Sequence, residues 1–560
     1  MQRWIPSPIS ITTKNDLGGI ITPKPVVLNG ESLTLESIEA VAFNRTTVSL
    51  CPDSKAKMLL SYQWVQKVCQ TNKPVYGVNT GFGSLARVSI PPEQSSLLST
   101  NLIRSHAAGV GPIADQPTTR VMLLLRANAL AKGVSGCRPL LVENLLQLLN
   151  TNILPKIPMQ GSCGSSGDLA PLAHLGLMLI GDPLGEAIVV DQSGCPHEIG
   201  APTALAKAGL EPLVLEAKDG LAITNGAQLS TAIATLNIIE GKRLLLAGEL
   251  AAAMSMEALL GISRAFHPAV HEMRPYLGAK QCAFNIRQLT NGSTLMDSVP
   301  EKLQDAYSIR CTPQILGAVR DMMRFVEQQV SVEWNSATDN PLILLDVNDG
   351  SQGDPDNKAF SAGMFHGEPI GMAMDSFKIA ISELANLSER RQYRLTTGNL
   401  SQLLPPGLVG KDRPDIGMIV PQTTAAALVS ENKALAWPAS VDSIPTCEDQ
   451  EDHIAMSTVA SRRARDVLRN ATKVIAIELI SAAQALSFRQ DERPSARLGQ
   501  GVQQGVQNVE RSLQKSAHPF MTIGEQIEII ATEIQNGQIL QQLPPLLHPT
   551  DANIPTGVRS

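Results

Sequence analysis

The sequence predicts a mostly α protein, and three observations carry that prediction. Aromatic residues make up only 3% of the 560-residue chain while 43% of it is hydrophobic, so Ala and Leu must fill much of the core. Small aliphatic side chains favour close helix–helix packing over sheet sandwiches, which lean on aromatic and β-branched residues. Long stretches carry a 3.6-residue apolar period, and short Gly- and Pro-rich segments interrupt them as turns.

Residues 1–28 are rich in Pro, Gly and Thr without a period and read as a loose arm. Residues 119–150 hold two apolar-periodic helices broken at Gly133-Val134-Ser135-Gly136. Residues 226–261 read as one or two long Ala-rich helices, and residues 363–391 and 460–488 repeat the pattern. Helices apolar around much of their circumference are not satisfied facing water. They predict a long central bundle completed by other copies of the chain. The expected division is an arm (1–28), a loop-rich N-terminal region (29–225), the long-helix bundle (226–490), and C-terminal helices with a Pro-rich tail (491–560). Polar, Gly-bearing segments at 76–85, 160–172, 224–228, 307–314 and 447–456 are read as loops on this scaffold, where binding and catalytic groups are commonly carried.

A net charge of −6 without a basic block argues against nucleic acid or an anionic membrane surface as a partner. The eight cysteines are scattered, with no CxxC pair and no Cys/His cluster, so neither a metal site nor a disulfide framework is expected. The N-terminal segment lacks a signal-peptide apolar run, and no stretch reaches the ~18 uninterrupted apolar residues of a membrane span. A soluble, cytoplasmic protein is the expectation.

The segment GSCGSSGDLAPLAHL (161–175) carries the sharpest chemistry. A backbone amide can attack a carbonyl two residues earlier only in an extremely tight turn. The attacking residue should be Gly, because a Cβ would block the approach. The middle residue should carry a hydroxyl that can leave as water, and the first need only be small. Ser165-Ser166-Gly167 meets all three demands. The product would be a methylidene-imidazolone (MIO), a conjugated electrophile that ordinary side chains cannot provide. The following DLAPL is a candidate helix start, whose N-terminus would strengthen the electrophile. By composition alone, the same run would be a flexible linker.

GSCGSSGDLAPLAHL resembles the GS-x-GASGDLAPL signature of the histidine, phenylalanine and tyrosine ammonia-lyases and aminomutases. YGVNTGFG, LIRSHAAGVG, RANALAKGVSG, TNGAQ, DAYSIRCTPQ, NSATDNPL, FHGEPIGMAMD, LSERR, TAAALVSENKAL and QEDHIAM match too, in the family's order, from about residue 30 to about residue 545. The resemblance implies a mostly helical homotetramer with active sites built from three subunits. It also implies a cofactor formed from the chain itself, with no external one. Tyr76 matches the family's catalytic tyrosine, Tyr307 a second tyrosine beside the cofactor, and Arg310 the group that binds the substrate carboxylate. Asn225, Gln304 and Asn335 match positions supporting the carboxylate, the cofactor oxygen or the ammonium. Phe365 matches a residue packing near the substrate.

Two positions bear on the substrate side chain. His106, followed by Ala107, and Glu451 in Gln450-Glu451-Asp452-His453 match the histidine-type pattern. The chemistry agrees, because a His and a Glu in a closed pocket need polar partners, and imidazole offers a donor and an acceptor. A phenyl ring would leave both groups unpaired. Glu451 could also transfer protons. Three residues depart from the histidine-type pattern: Ser165 where Ala is typical, Asp449 where Asn is usual, and Met364 where Asn is common. The expected activity is elimination of ammonia from L-histidine to give trans-urocanate. A tyrosine or phenylalanine ammonia-lyase, a tyrosine aminomutase and an inactive helical assembly protein remain the alternatives.

Overall fold

The computed structural model describes residues 24–71, 74–80, 91, 94–190, 195–347, 357–410, 415–515, 521–551 and 554. The expected arm up to residue 23 and the 81–85 part of the loop after Tyr76 lie outside them. The protein is mostly α-helical, as composition and period predict. Its chain divides into two units. One comprises Met1–Leu236, Gln328–Met374 and Pro438–Arg462; the other comprises Asn237–Glu327, Asp375–Trp437 and Arg463–Ser560.

In the first unit the expected pair of helices runs Gln116–Ala131 and Pro139–Thr151. Asp115 caps the first by accepting the Thr118 N–H at 2.9 Å. A Pro in the first turn of each helix removes only an N–H that has no partner there. The break falls at Gly133, whose φ of +82° turns the chain where a side chain would strike Lys57. Every residue from Thr118 to Ala131 is buried, Arg120, Arg126 and Asn128 included. Short strand pairs frame these helices: Val26–Leu28 runs parallel to Val48–Leu50, and Val110–Ile113 pairs with Pro158–Gln160. A three-stranded sheet, Leu154–Pro155, Glu186–Val190 and Pro196–Gly200, completes the frame.

The 226–261 segment forms a single helix, Gln228–Ala258, and the later apolar segments form Glu368–Thr396 and Ser457–Glu492. In the second unit, stretches of these helices and of the helix Thr312–Trp334 are tied by ion pairs that no apolar period announces. Arg320 holds Glu249 through two 2.7 Å contacts, and Arg391 holds Glu478 at 2.6 and 2.8 Å. All four side chains are fully buried. Among the described residues one helix, Ser457–Glu492, is long and apolar enough to cross a membrane, and most of its apolar stretch is buried inside the protein.

The 307–314 segment, expected as a loop, is helical: Tyr307–Arg310 forms one turn and Thr312–Trp334 follows. Pro313 sits in the first turn of the longer helix, where proline is compatible with helix rather than a breaker.

Candidate active site

The Ser165-Ser166-Gly167 loop is built by the polar residues around it. Asp168, fully buried, ends the loop and caps nothing locally. Its carboxylate instead gathers three segments. Oδ1 accepts from Ser162 Oγ at 2.8 Å and Thr458 Oγ1 at 2.6 Å, and Oδ2 from the Ser230 N–H at 2.8 Å and its Oγ at 3.0 Å. The helices Leu169–Leu179, Gln228–Ala258 and Ser457–Glu492 all begin here. The helix start expected at DLAPL is therefore present, and two more accompany it. Helix N-termini carry partial positive charge, and the Ser230 N–H in the first turn of Gln228–Ala258 donates to Asp168.

Gly167 has a φ of +76°, and a Cβ there would lie 2.3 Å from the Gly226 carbonyl carbon. The two glycines bridge, with the Asp168 N–H donating to Gly226 O at 2.8 Å. Only glycine permits this approach. Ser165 is buried and Ser166 half-buried. The Ser166 carbonyl oxygen accepts from Asn225 Nδ2 at 2.8 Å. Asn225 Oδ1 is buried without a hydrogen-bond partner among the described residues. The Asn225 backbone carbonyl is held by Arg126 Nη1 at 2.7 Å, and the same nitrogen reaches Gln228 Oε1 at 2.8 Å. Arg126 is fully buried, which lowers its pKa against the opposing pull of Asp339 and Cys137.

Glu451 faces the triad directly. Oε1 accepts from Ser166 Oγ, and Oε2 from Ser165 Oγ at 2.8 Å and Thr446 Oγ1 at 2.6 Å. Burial pushes its pKa up, but hydrogen bonds from Ser166, Thr446, Ser165 and Cys447 outweigh that and hold the carboxyl below its ordinary value. The loop that carries it is a tight left-handed turn: Cys447, Glu448 and Asp449 have φ of 51°, 55° and 61°. Asp tolerates that conformation better than most residues, and the turn is closed by hydrogen bonds in both directions between Thr446 and Glu451.

His106 is the last residue of the Ser95–His106 helix, half-buried. Its Nδ1 lies 2.8 Å from the Leu102 carbonyl and 3.0 Å from Ser105 Oγ. A carbonyl can only accept, so Nδ1 carries the proton and Nε2 presents a lone pair. Burial lowers the His106 pKa, opposed by the Leu102 carbonyl and Glu451. Tyr76, half-buried, opens an otherwise buried turn, before which the Val75 N–H donates to Asn79 Oδ1 at 2.7 Å. Phe365, half-buried, lies beside Gly367, whose N–H donates to the Gly164 carbonyl at 2.9 Å. Met364 is 48% exposed.

Asn335 is joined elsewhere. Its amide exchanges hydrogen bonds with the Leu33 backbone at 2.9 and 3.0 Å and accepts from Asn128 at 3.3 Å, tying down the 29–34 segment. Tyr307, Arg310 and Gln304 belong to the second unit. There the Arg310 guanidinium stacks 4.8 Å from the Tyr307 ring centre while its Nε donates to the Asp305 carbonyl at 2.9 Å. Tyr307 is 70% exposed, and Gln304 is exposed as well. A cavity of about 640 Å³ in this unit is lined by His271, Arg274, Tyr276, Gln314, Asp321 and Phe325, and by none of the sequence-predicted site residues.

The residues missed by sequence reasoning are Asp168, Arg126, Ser162, Thr446 and Thr458. The available signal was the presence of charged and hydroxyl residues inside otherwise apolar strings such as RANALAKG and GDLAPLAHL, where burial demands a partner.

A pattern described as aromatic amino acid lyase matches residues 33–511. The chain is 45% identical over 467 residues to the histidine ammonia-lyase of Caldanaerobacter subterraneus subsp. tengcongensis, spanning 83% of this chain and 89% of that protein. Its fold is similar to that of a histidine ammonia-lyase from Trypanosoma cruzi, with a TM-score of 0.83 and 34% identity over 96% of this chain and 100% of that one. A tyrosine aminomutase from Streptomyces globisporus is similar to the same degree, at 0.83 and 34% over 92% and 98%. The chain belongs to the aromatic amino acid lyase family.

Proposed function

We propose that this protein is a histidine ammonia-lyase that converts L-histidine to trans-urocanate and ammonia, using a methylidene-imidazolone formed from Ser165-Ser166-Gly167. The observation that carries the reading is the double hold on Ser166: the Asn225 amide on its carbonyl oxygen and Glu451 on its hydroxyl. Formation of the group joins Gly167 N to the Ser165 carbonyl carbon. One water leaves with the Ser165 oxygen, and a second leaves from Cα and Oγ of Ser166. The residues fit that group: Gly167 is already folded back at positive φ, and Asn225 Oδ1 is a buried acceptor awaiting a partner. Once formed, the group supplies an electrophilic methylene carbon to the substrate amine.

The rest of the reading concerns this chain's own side chains. Asn225 Nδ2, donating to the Ser166 oxygen, stabilises negative charge developing there, the logic of an oxyanion hole. Arg126, on the Asn225 carbonyl, fixes that donor in place. His106, with Nδ1 committed to Leu102, offers Nε2 as an acceptor for the imidazole N–H of histidine. Glu451 is a carboxylate that can take the second imidazole proton or the departing β-proton. Arg310 suits the substrate carboxylate through its planar fork, and Gln304 is a second candidate for holding the substrate. Tyr76 and Tyr307 are the candidate bases, and Phe365 packs against the substrate.

A cytoplasmic homotetramer sharing its active sites between subunits goes with this reading. Supporting it, Tyr307, Phe325, Ile379, Val420 and Trp437 of the second unit leave large apolar surface exposed, at 70%, 46%, 54%, 52% and 72%. The likeness to a tyrosine aminomutase motivates a second reading with tyrosine as substrate. Purified protein given L-histidine should develop the ultraviolet absorbance of urocanate, and its intact mass should fall about 36 Da below the sequence mass for two lost waters. Coumarate or β-tyrosine from tyrosine would move the assignment to the second reading. An unchanged mass would favour a protein that keeps the fold without the chemistry.

A further inference from the structure

Glu451 is held by three hydroxyls before the ring forms, and ring closure removes one of them. Ser166 Oγ is the oxygen that leaves, so the donor on Oε1 disappears with it. Ser165 Oγ and Thr446 Oγ1 both donate to the other oxygen, Oε2, and neither is consumed, because only the carbonyl of Ser165 enters the ring. We propose that Ser165 is a positioning residue that clamps Oε2 of Glu451, so that ring closure frees Oε1 toward the new methylene carbon while the carboxylate stays oriented and ionised. The inference rests on the reading above, in which the triad cyclises and Glu451 acts as a carboxylate.

The geometry makes the clamp specific. Ser165 is buried at 7% exposure, so its hydroxyl meets little water in competition for Glu451. With Ala in its place, Oε2 would keep Thr446 as its one hydroxyl donor. A hydrogen bond to the charged form favours that form, so its removal raises the carboxyl pKa. The direction agrees with the effect of these hydroxyls on Glu451, which together outweigh burial. The other titratable groups facing Glu451 are Cys447 on its own loop, Cys163 on the triad loop and His106 at the end of its helix. Neither Ser165→Ala nor Ser165→Thr changes any of them.

The test uses the full-length chain as wild type, Ser165→Ala and Ser165→Thr, with kcat/KM for histidine followed against pH and intact mass measured for each. Ser165→Ala should keep the two-water mass loss, and the acid limb of its profile should move up by about one pH unit. Its kcat/KM should therefore fall about tenfold below wild type on the acid side and converge with it at high pH. Ser165→Thr, which keeps the hydroxyl, should return the limb toward its wild-type position. Infrared titration of the Glu451 carboxyl, with its band assigned by loss in Glu451→Gln, reads the same shift without turnover. An unmoved limb and carboxyl band in Ser165→Ala overturns the proposal. So does a Ser165→Ala chain that loses the mass change, or that keeps it and is inactive at every pH. Failure of the wild type to lose two waters or to form urocanate defeats the functional reading instead. A wild type that does both, with an unmoved variant, defeats only this inference.

Discussion

Two carboxylates, one from each unit, are treated in opposite ways. Glu478 lies between long helices of the second unit, fully buried, with both oxygens on the Arg391 guanidinium and a further donor in Ser255 Oγ at 2.7 Å. Glu451 in the first unit is half-buried and held by hydroxyls and a thiol. An ion pair with matched forks neutralises the charge of its carboxylate, and at Glu478 the Ser255 hydroxyl takes a further acceptor position. Hydroxyl donors keep a carboxylate charged while leaving it able to accept something else. The buried arginines divide likewise: Arg391 spends its fork on a carboxylate, whereas Arg126 donates to the Asn225 carbonyl and the Gln228 amide oxygen. Polar groups in the second unit hold helices together. Those in the first hold a three-residue loop in a reactive shape.

If that division is right, changes in the two units fail differently. The largest effect is expected from Ser166→Ala, which removes the hydroxyl that must leave. Activity and the two-water mass loss should both vanish, while thermal stability stays close to wild type; a variant that still turns over histidine would break the comparison. Next comes Glu478→Ala, which strands the fully buried Arg391 without its counter-charge and should lower unfolding free energy by about 3–5 kcal/mol in urea melts. Its kcat per folded molecule should stay near the wild-type value. Arg126→Met should be gentler on stability, about 1–3 kcal/mol for two acceptors left short of a donor. It should also cost roughly tenfold to hundredfold in kcat, because Asn225 loses the group that fixes it. Equal losses of stability in Glu478→Ala and Arg126→Met, with kcat untouched in both, would erase the distinction.

The helices were legible because their apolar period is long and their ends are marked: Gly133 and Gly136 at positive φ separate the 116–131 and 139–151 helices where the sequence reading broke them. The loop at Gly167 was legible for a similar reason, since only a residue without a Cβ fits against Gly226. What stayed hidden were partners distant in sequence. Asp168 binds residues from three segments, one of them 290 positions away at Thr458, and no local pattern encodes that. The polar residues of the 307–314 segment read as a loop, yet its Pro313 falls where a helix accepts it. Asn335 sits in a string that matches the family, but its amide is spent on Leu33 and Asn128. A motif identifies a neighbourhood without saying which way a side chain turns. The proton on His106 Nδ1 is of the same kind: it follows from the Leu102 carbonyl one helical turn back, which the sequence names but does not orient.

A third glutamate sharpens the comparison through pH. Glu257, in the second unit, is buried like Glu478 but has no guanidinium; the Gly499 N–H reaches its oxygens at 3.0 and 3.2 Å. Burial pushes its pKa from 4.5 up to about 8, and the bonds from Gly499 and Ser293 recover only part of that. The folded state therefore holds a proton that the unfolded chain gives up near pH 4.5. Below that pH both states are protonated, and the contribution of Glu257 to stability is complete. As pH rises from about 4.5 the unfolded chain ionises first, so stability drains at a slope of at most about 1.4 kcal/mol per pH unit. The loss ends near pH 8, where the folded carboxyl ionises too. Glu257→Gln keeps an oxygen for Gly499 but cannot ionise, so its melting temperature should depend less on pH between 5 and 8 than that of the wild type. The two proteins should be closest at the acid end and separate steadily above it. Parallel melting curves would mean that Glu257 keeps an ordinary affinity for its proton, and that lack of a counter-charge does not distinguish it from Glu478. A slope confined to wild type would show that burial without a counter-charge keeps Glu257 protonated, whereas the hydroxyl donors around the less buried Glu451 hold that carboxyl below its ordinary pKa.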